Sequence, residues 1–319
     1  MAPDTSTAPP PPTAETSTKS PTSIFAIPQP IRSLFNRFPL QTYPPNALPA
    51  CATTSDITTS SSATETSALP TLYIFTSPDS SNSDPSPNPT CLKLQTYLRA
   101  ANIPHTCVSS SNHASPSGAL PFLLPPATAS SSKPLTGEKI IAYANDHADP
   151  SASLADVDSH PKVEAYRALI TQAIRPAWLH DLYLRDINYP LLKSIYLPSS
   201  PVTHASLLHT LRTAATTSIL QTTRRSDISP SLLHSNAISA LLSLDALLSS
   251  NSGNSGWFLD AEAPSLFDAE VFAYTWLLID EEGPMRALKS GLSEDLKRME
   301  YLVAHRARMY ERCWGQNAS

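Results

Sequence analysis

The chain has 319 residues, of which 41% are apolar and 15% are charged, so it is long enough to bury the core of one large domain or of two small ones. Its formal net charge is -5 and its Lys and Arg residues form no long block, which argues against a nucleic-acid partner, because phosphate contacts need clustered positive charge. The longest mainly apolar stretch noted in the sequence, Val271 to Ile279, is far shorter than the ~20 residues that span a bilayer, so no transmembrane helix is predicted.

Two segments near the N-terminus have compositions typical of disorder. Residues 1–23 repeat Pro, Thr, Ser and Ala and lack the apolar region of a secretory signal, and residues 51–69 contain the polar run TTSDITTSSSATETS. Neither segment can bury enough apolar surface to offset the entropy of ordering. We therefore expect 1–23 to be disordered and 51–69 to be a flexible linker, in a protein that stays on the cytosolic side of a membrane.

Between these segments, residues 24–50 contain one short apolar pattern. Four apolar residues recur at i, i+3, i+4 and i+7 between Pro30 and Pro39, which predicts one short amphipathic helix. About eight residues are too few for an isolated helix in water, so this arm must dock on its own globular domain, on a partner protein or on lipid headgroups. The candidate partner-binding residues of the arm are Ile31, Arg32, Leu34, Phe35, Arg37, Phe38 and Tyr43.

The cysteines give no sign of disulfides or of a metal site. Cys51, Cys91, Cys107 and Cys313 form no C-x-x-C pair and have no His partner at zinc-finger spacing. The sequence therefore predicts reduced thiols, no metal ion and no cofactor.

From residue 70 onward, strands and helices alternate. A buried strand, LYIF, starts at Leu72, and after a polar loop Asn88 caps a helix that has Pro89 at its first position. Two more strands, HTCV and ALPFLLP, and a helix, GEKIIAYANDH, complete a βαββα order over residues 70–148.

Residues 149–319 show only helical patterns from about Ser159. The predicted helices are HPKVEAYRALITQAIRPAWLHDLYL with a kink at Pro176, HASLLHTLRTAATTSILQTTRR, SPSLLHSNAISALLSLDALLS, APSLFDAEVFAYTWLLID and SEDLKRMEYLVAHRARMYERCW. The charges of the last helix, Arg306 and Arg308 among them, are typical of a solvated face. The Trp residues are expected in the core.

The stretch GWFLDAEAPSLFDAEVFAY carries the most specific motif. Ser265 and Asp268 form an S-x-x-D pair, in which the serine oxygen accepts the backbone N–H of Asp268 and the aspartate accepts that of Ser265. This capping pair predicts the start of a central helix.

The order of these elements is similar to that of a glutathione S-transferase fold. Leu120-Pro121 stands where that fold has a cis-proline before its third strand, and the capped helix at Ser265 resembles the capping signature of its C-terminal domain. The resemblance implies an α/β thioredoxin-like domain over 70–148, followed by an all-α domain over 149–319, with Pro121 in the cis form.

The thiol chemistry of such folds is not supported by the residues. In thioredoxin-like folds a C-P-x-C motif opens the first helix, where the helix dipole and free N–H groups lower the pKa of the leading cysteine. Here the run is NPTC, so Asn88 takes the leading place and Cys91 is predicted to be a buried thiol. The Glu-Ser pair that binds the γ-glutamyl group in similar transferases is replaced by Thr136 and Gly137. Ser77, after the first strand, is an alternative activating hydroxyl.

A transferase-like fold without its thiol site resembles the metaxin family. The run CLKLQTYLRAANIPHTCVSSSNHASPSGALPFL resembles the metaxin N-terminal half, and FNRFPLQTYPPNALP is similar to the arm of the smaller metaxin-like subunit of the fungal mitochondrial sorting and assembly machinery. The resemblance implies a non-enzymatic protein, peripheral on the cytosolic face of the mitochondrial outer membrane. Its implied partners are the membrane-embedded β-barrel subunit, a second metaxin-like subunit and β-barrel precursors with their C-terminal β-signal.

Two other classes of function remain open at this point. The chain is alternatively a glutathione-dependent transferase or reductase that uses Ser77 or Cys91. It is alternatively a scaffold linked to translation, although such chains usually bring basic extensions that are missing here.

Overall fold

The computed structural model of the protein describes residues 69–77, 81–126, 133–150, 152, 154–157, 160–197, 201–250, 255–281 and 283–315. The predicted disordered segment 1–23, the arm 24–50 with its candidate residues Ile31 to Tyr43, and Cys51 lie outside these residues. The partner-binding role of the arm therefore stays a prediction.

A four-stranded sheet forms the first half of the described chain. Its strands are β1 (Thr71–Ile74), β2 (Thr106–Ser109), β3 (Phe122–Leu124) and β4 (Leu135–Thr136), in the order β2-β1-β3-β4. Strand β2 runs parallel to β1, and β3 is antiparallel to both β1 and β4. The fourth strand was not predicted, because two residues carry no periodicity; only its pairing with β3 defines it.

Two helices pack on this sheet. They are α1 (Pro89–Ala100) and α2 (Glu138–His147), and both were expected from their sequence patterns. Helix α1 buries Cys91, Leu92 and Leu98 completely, and α2 buries Ile140 and Ala144. The sheet residues Leu72 and Ile74 are also fully buried, so the core of this half lies between the sheet and the two helices.

The second half of the described chain is helical. Its α-helices are α3 (Val163–Leu169), α4 (Arg175–Leu179), α5 (Tyr189–Tyr196), α6 (Pro201–Thr223), α7 (Pro230–Ser249), α8 (Leu266–Leu278), α9 (Gly291–Leu296) and α10 (Glu300–Trp314). Helix α8 is central, since every residue of it except Trp276 is buried, and it packs against α1 of the first half and against α10.

The predicted helix that starts at His160 is more irregular than expected. Helices α3 and α4 are joined by a π-helical segment, Ile170–Ile174, and a second one, His180–Leu184, follows α4. Pro176 cannot donate a backbone hydrogen bond and would clash with the carbonyl four residues earlier in a regular α-helix. The wider turn ahead of Pro176 accommodates the proline within one continuous helical run.

Two further helix boundaries differ from the prediction. The last predicted helix is divided into α9 and α10 by a turn at Lys297–Met299, where Met299 is buried. Helix α5 was missed, because its eight residues lie in a segment rich in Pro and Tyr. In α5, Leu191, Leu192 and Ile195 are buried, so tertiary packing stabilises a helix that its sequence pattern did not reveal.

Helix α7 corrects the expectation about the longest apolar stretch. By length and composition it is the one helix in the described part of the chain that would suffice to cross a membrane, whereas Val271 to Ile279 was taken as the longest apolar run. Its buried positions Leu233, Ala237, Leu241 and Leu244 recur at helical spacing and face neighbouring helices. The buried share of its 18-residue apolar window is 33%, and Leu242 on the same helix is 53% exposed.

Candidate functional site

The start of α1 is the place where a thioredoxin-like fold would carry its reactive group. There the Oδ1 atom of Asn88 accepts the backbone N–H groups of Thr90, at 3.0 Å, and of Cys91, at 3.2 Å. These N–H groups are the donors that a thiolate or a ligand anion would use. Asn88 therefore occupies this end of the helix dipole with a neutral amide.

The side chain of Tyr196, from α5, covers the same place. Its hydroxyl oxygen accepts the Nδ2–H of Asn88 at 3.2 Å, and its ring lies edge-on to Phe75 with 5.1 Å between the ring centroids. Burial raises the pKa of Tyr196 well above its usual range, so the phenol stays neutral at neutral pH. No sequence motif marked Tyr196, because it reaches Asn88 across 108 positions of the chain.

The thiol of Cys91 is enclosed beneath this cap. The residue has 0% of its surface exposed, and burial raises the pKa of its thiol from 9.0 to about 12. A reactive cysteine needs an exposed, low-pKa thiolate. Cys91 has neither property, so it acts as a small core residue, as its position in the NPTC run indicated.

The peptide bond between Leu120 and Pro121 is cis, at the position that the fold resemblance singled out. The backbone N–H of Leu120 points to the Oδ1 atom of Asn112 at 3.0 Å. A peptide-like ligand beside the proline would have to displace this side chain to reach the Leu120 donor.

Thr136 is the last residue of β4 and Gly137 stands directly before α2, at the positions expected for the residues that replace a Glu-Ser pair. Gly137 precedes α2 with a φ of 54°, a left-handed conformation that favours glycine, and no side chain caps the helix there. Neither residue has a carboxylate. The first acidic side chain of α2 is Glu138, which is exposed.

A cleft of about 900 Å³ lies between the two halves, beside the capped start of α1. The loop after β1 forms one wall, with Ser77 and Asp84, and the other walls come from α5, α8, the segment after α8 and α10. We call it the acidic cleft, because four carboxylates and two guanidinium groups line it, from Asp84, Asp280, Glu281, Glu311, Arg286 and Arg306. Ser77, the alternative activating hydroxyl, is a wall residue that is 8% exposed.

Stacked side chains form the rigid wall of the acidic cleft. The Arg306 guanidinium lies 4.3 Å from the centroid of Trp276, and Tyr310 stacks on Trp276 at 4.3 Å with an angle of 6° between the ring planes. Arg306 also donates to the carbonyl of Ile279 at 2.8 Å, and burial lowers its pKa. The expectation that Arg306 lies on a solvated face is thus wrong, because its guanidinium stacks on Trp276 and donates to the backbone at the end of α8.

Arg308 is likewise engaged within the protein. Its guanidinium donates to the carbonyl of Gly256 at 2.8 Å and lies 5.6 Å from the centroid of Trp257. Sequence analysis missed these roles, because an arginine on a charged helix gives no signal of the aromatic ring that another segment brings to it.

The capping pair of α8 is part of a larger buried site. Ser265 accepts the N–H of Asp268 at 3.2 Å, and Asp268 accepts the N–H of Ser265 at 2.9 Å, so both bonds of the capping box are present. The other carboxylate oxygen of Asp268 accepts the N–H of Phe258 at 3.1 Å and bonds to His305 Nε2 at 3.0 Å. The site joins three segments and is fully buried, so its role is structural.

Comparison with known proteins identifies the fold. Residues 89–188 match the family model described as the glutathione S-transferase N-terminal domain. The chain is similar to a glutathione S-transferase of Ceriporiopsis subvermispora that was solved in complex with glutathione, with a TM-score of 0.52 and 12% sequence identity. The similarity covers 76% of this chain and 97% of that transferase. A glutathione transferase of Phanerochaete chrysosporium is similar over the same shares, 76% and 97%, with a TM-score of 0.51 at 12% identity. No curated protein sequence gives a match.

The chain therefore has a glutathione S-transferase-like fold: an α/β sheet domain followed by a mostly helical part. At 12% identity the likeness shows the fold alone, so function has to be argued from the sites.

Proposed function

We propose that this transferase-like chain is a non-enzymatic, protein-binding subunit of the complex that sorts and assembles β-barrel proteins in the mitochondrial outer membrane. The observation that carries the proposal is the closure of the site at the start of α1. Asn88 fills the helix end, Tyr196 covers it, and Cys91 is fully buried with a raised thiol pKa. A fold whose reactive place is closed by its own side chains is suited to binding rather than to thiol chemistry.

The metaxin resemblance supplies the setting of the proposal. It covers the run from Cys91 to Leu123, the arm before the sheet and the stretch around the capping box. In this setting the protein lies on the cytosolic face of the outer membrane. It binds the membrane-embedded β-barrel subunit and a second metaxin-like subunit, and it helps to receive precursors through their β-signal. An extended precursor strand has unpaired backbone groups, and a protein platform can shield them before insertion.

A glutathione-dependent enzyme is the second candidate, and one observation favours it. Ser77 follows β1 and lines a cleft large enough for a small-molecule substrate. The solved structures to which the chain is similar are themselves glutathione transferases, one of them with glutathione bound. Against this candidate, among the described residues no hydrogen bond joins Ser77 to a histidine or a carboxylate that would activate it.

Two measurements on the full chain decide between the candidates. The first is retention on glutathione-agarose together with the rate of glutathione conjugation to an electrophile, with a Ser77→Ala variant as control. The second is co-purification of the tagged chain with the β-barrel subunit from detergent-solubilised mitochondria. We expect co-purification and no conjugation above the uncatalysed rate. The proposal would be overturned if the chain conjugated glutathione, if Ser77→Ala abolished this activity, and if the chain stayed in the soluble fraction after the mitochondria were removed by centrifugation.

A further inference from the structure

The acidic cleft is separate from the capped site at the start of α1. The charged and aromatic residues that line the cleft indicate what it binds. We propose that it binds an extended segment of a partner protein in which a lysine or arginine is flanked by apolar residues. This inference deepens the proposed function and rests on it for the identity of the partner.

The charges of the cleft are the first argument. Arg306 is stacked on Trp276 and bonded to a backbone carbonyl, while the Asp280 carboxylate accepts the N–H groups of Gly283, at 2.6 Å, and Met285, at 2.7 Å. The Asp280 carboxylate attracts the Arg306 guanidinium electrostatically, and hydrogen bonds to the backbone hold both side chains in the wall of the cleft.

The remaining charges leave the cleft negative. They are the carboxylates of Asp84, Glu281 and Glu311 and the guanidinium of Arg286. Glu281 is 72% exposed, contacts Lys297 at 3.8 Å and also acts electrostatically on Arg306. A cationic side chain placed between Glu281 and Glu311 is attracted by both, and such complementarity sets orientation and partner choice more than raw affinity.

The apolar walls are the second argument. Trp276 and Tyr310 stack on each other, and three prolines, Pro85, Pro190 and Pro284, also line the cleft. Preorganised Trp, Tyr and Arg groups are the residue types that concentrate binding energy in protein interfaces. Because these walls lose little conformational entropy on binding, apolar side chains on either side of the cation gain contact area at low cost.

The size of the cleft favours a chain segment over a single side chain. Its volume of about 900 Å³ lies near the upper end of the ~300–1,000 Å³ that is usual for ligand sites. It runs between elements of both halves, from the loop after β1 to α10, so an extended segment can pass along it while one residue meets the carboxylates.

Charge reversal tests the inference directly. We would replace two of the exposed carboxylates, as Glu281→Lys with Glu311→Lys, and compare a matched control, Glu262→Lys with Glu300→Lys, whose side chains are exposed outside the cleft. Each full-length chain would be titrated into a fluorescein-labelled decapeptide with a central lysine between Leu and Phe residues, and into the same peptide with glutamate at the centre. Fluorescence anisotropy would give the dissociation constants.

The wild-type chain and the control should bind the lysine peptide at least tenfold more tightly than the glutamate peptide, and the cleft variant should lose this preference. Equal binding of both peptides by the wild-type chain, or an undiminished preference in the cleft variant with an unchanged circular dichroism spectrum, would overturn the inference.

Co-purification from solubilised mitochondria separates this inference from the proposed function. The cleft variant should recover at least fivefold less of the β-barrel subunit than the control does. If the wild-type chain recovers none while its lysine preference persists, the proposed function fails and the peptide site stands. If the cleft variant recovers as much as the control does, the cleft is not the site for this partner and the inference fails.

Discussion

His305 and Asp268 meet at 3.0 Å in the interior of the helical half, 37 positions apart, with both side chains fully buried. The carboxylate of Asp268 also accepts backbone N–H groups at Ser265 and Phe258. One aspartate thus fixes the start of α8, the segment before it and helix α10.

Removing this carboxylate should be among the most damaging single changes in the chain. Asp268→Ala leaves His305 and two backbone donors buried without their acceptor, so we expect a loss of roughly 3–5 kcal/mol in the free energy of unfolding. Ser265→Ala removes one cap and should cost ~1 kcal/mol. Urea denaturation checks both values. Asp268→Asn keeps the shape and provides a fallback if the alanine variant does not fold.

The control for this prediction is Glu262→Ala, an exposed residue near the same segment. Its unfolding free energy should stay within about 0.5 kcal/mol of wild type. A loss at Asp268→Ala no larger than that at Ser265→Ala would show that the His305 contact contributes nothing.

The buried thiols should make stability depend on alkaline pH. Burial raises the pKa of Cys91 and of Cys313 from 9.0 to about 12, so above pH 9 the unfolded chain releases protons that the folded chain retains. The stabilising contribution is complete below pH 9 and is lost as the pH rises toward 12. By pH 10 the loss should be about 1.4 kcal/mol for each thiol.

Urea titrations at pH 8 and pH 10 measure this effect. The variant Cys91→Ala with Cys313→Ala should lose less stability between the two pH values than wild type does, since the other titrating groups are common to both. Equal losses would contradict the assigned cause. In the native protein at pH 8, both thiols should also react far more slowly with a thiol reagent than they do in urea.

The side chain of Asn88 should stabilise the protein through both its amide oxygen, which accepts, and its amide nitrogen, which donates. Asn88→Ala removes the acceptor of two N–H groups and the donor to Tyr196, so we expect a loss of about 1–2 kcal/mol. Asn88→Asp keeps the acceptor alone and should cost less. A double-mutant cycle with Tyr196→Phe, followed by thermal unfolding, isolates the amide–phenol bond.

Ser229 provides the matched control for the cap. It stands at the same position before α7 but makes no side-chain capping bond, so Ser229→Ala should change stability by only a few tenths of a kcal/mol. If Asn88→Ala were as mild as Ser229→Ala, the start of α1 would not be held as described.

Local chemistry made part of this fold predictable. Asn88 and Pro89 predicted the start of α1, and Ser265 and Asp268 predicted the start of α8, because a helix cap involves only residues within three positions of each other. The inward place of Cys91 followed from the same short motif. The two-residue strand β4 and helix α5 were not predicted, because their stability comes from pairing with β3 and from packing on the helical core rather than from their own residues.

Local patterns predicted most of the strands and helices, the caps of α1 and α8, and an asparagine at position 88 where a thioredoxin-like motif has its leading cysteine. Contacts between distant segments, by contrast, bring Tyr196 over this position, His305 to the Asp268 site and Arg306 to the wall of the acidic cleft. The two groups of features differ in how far apart their residues lie along the chain. Periodicity and capping act within a few residues, whereas these contacts join residues tens of positions apart and exist only once the core brings the segments together.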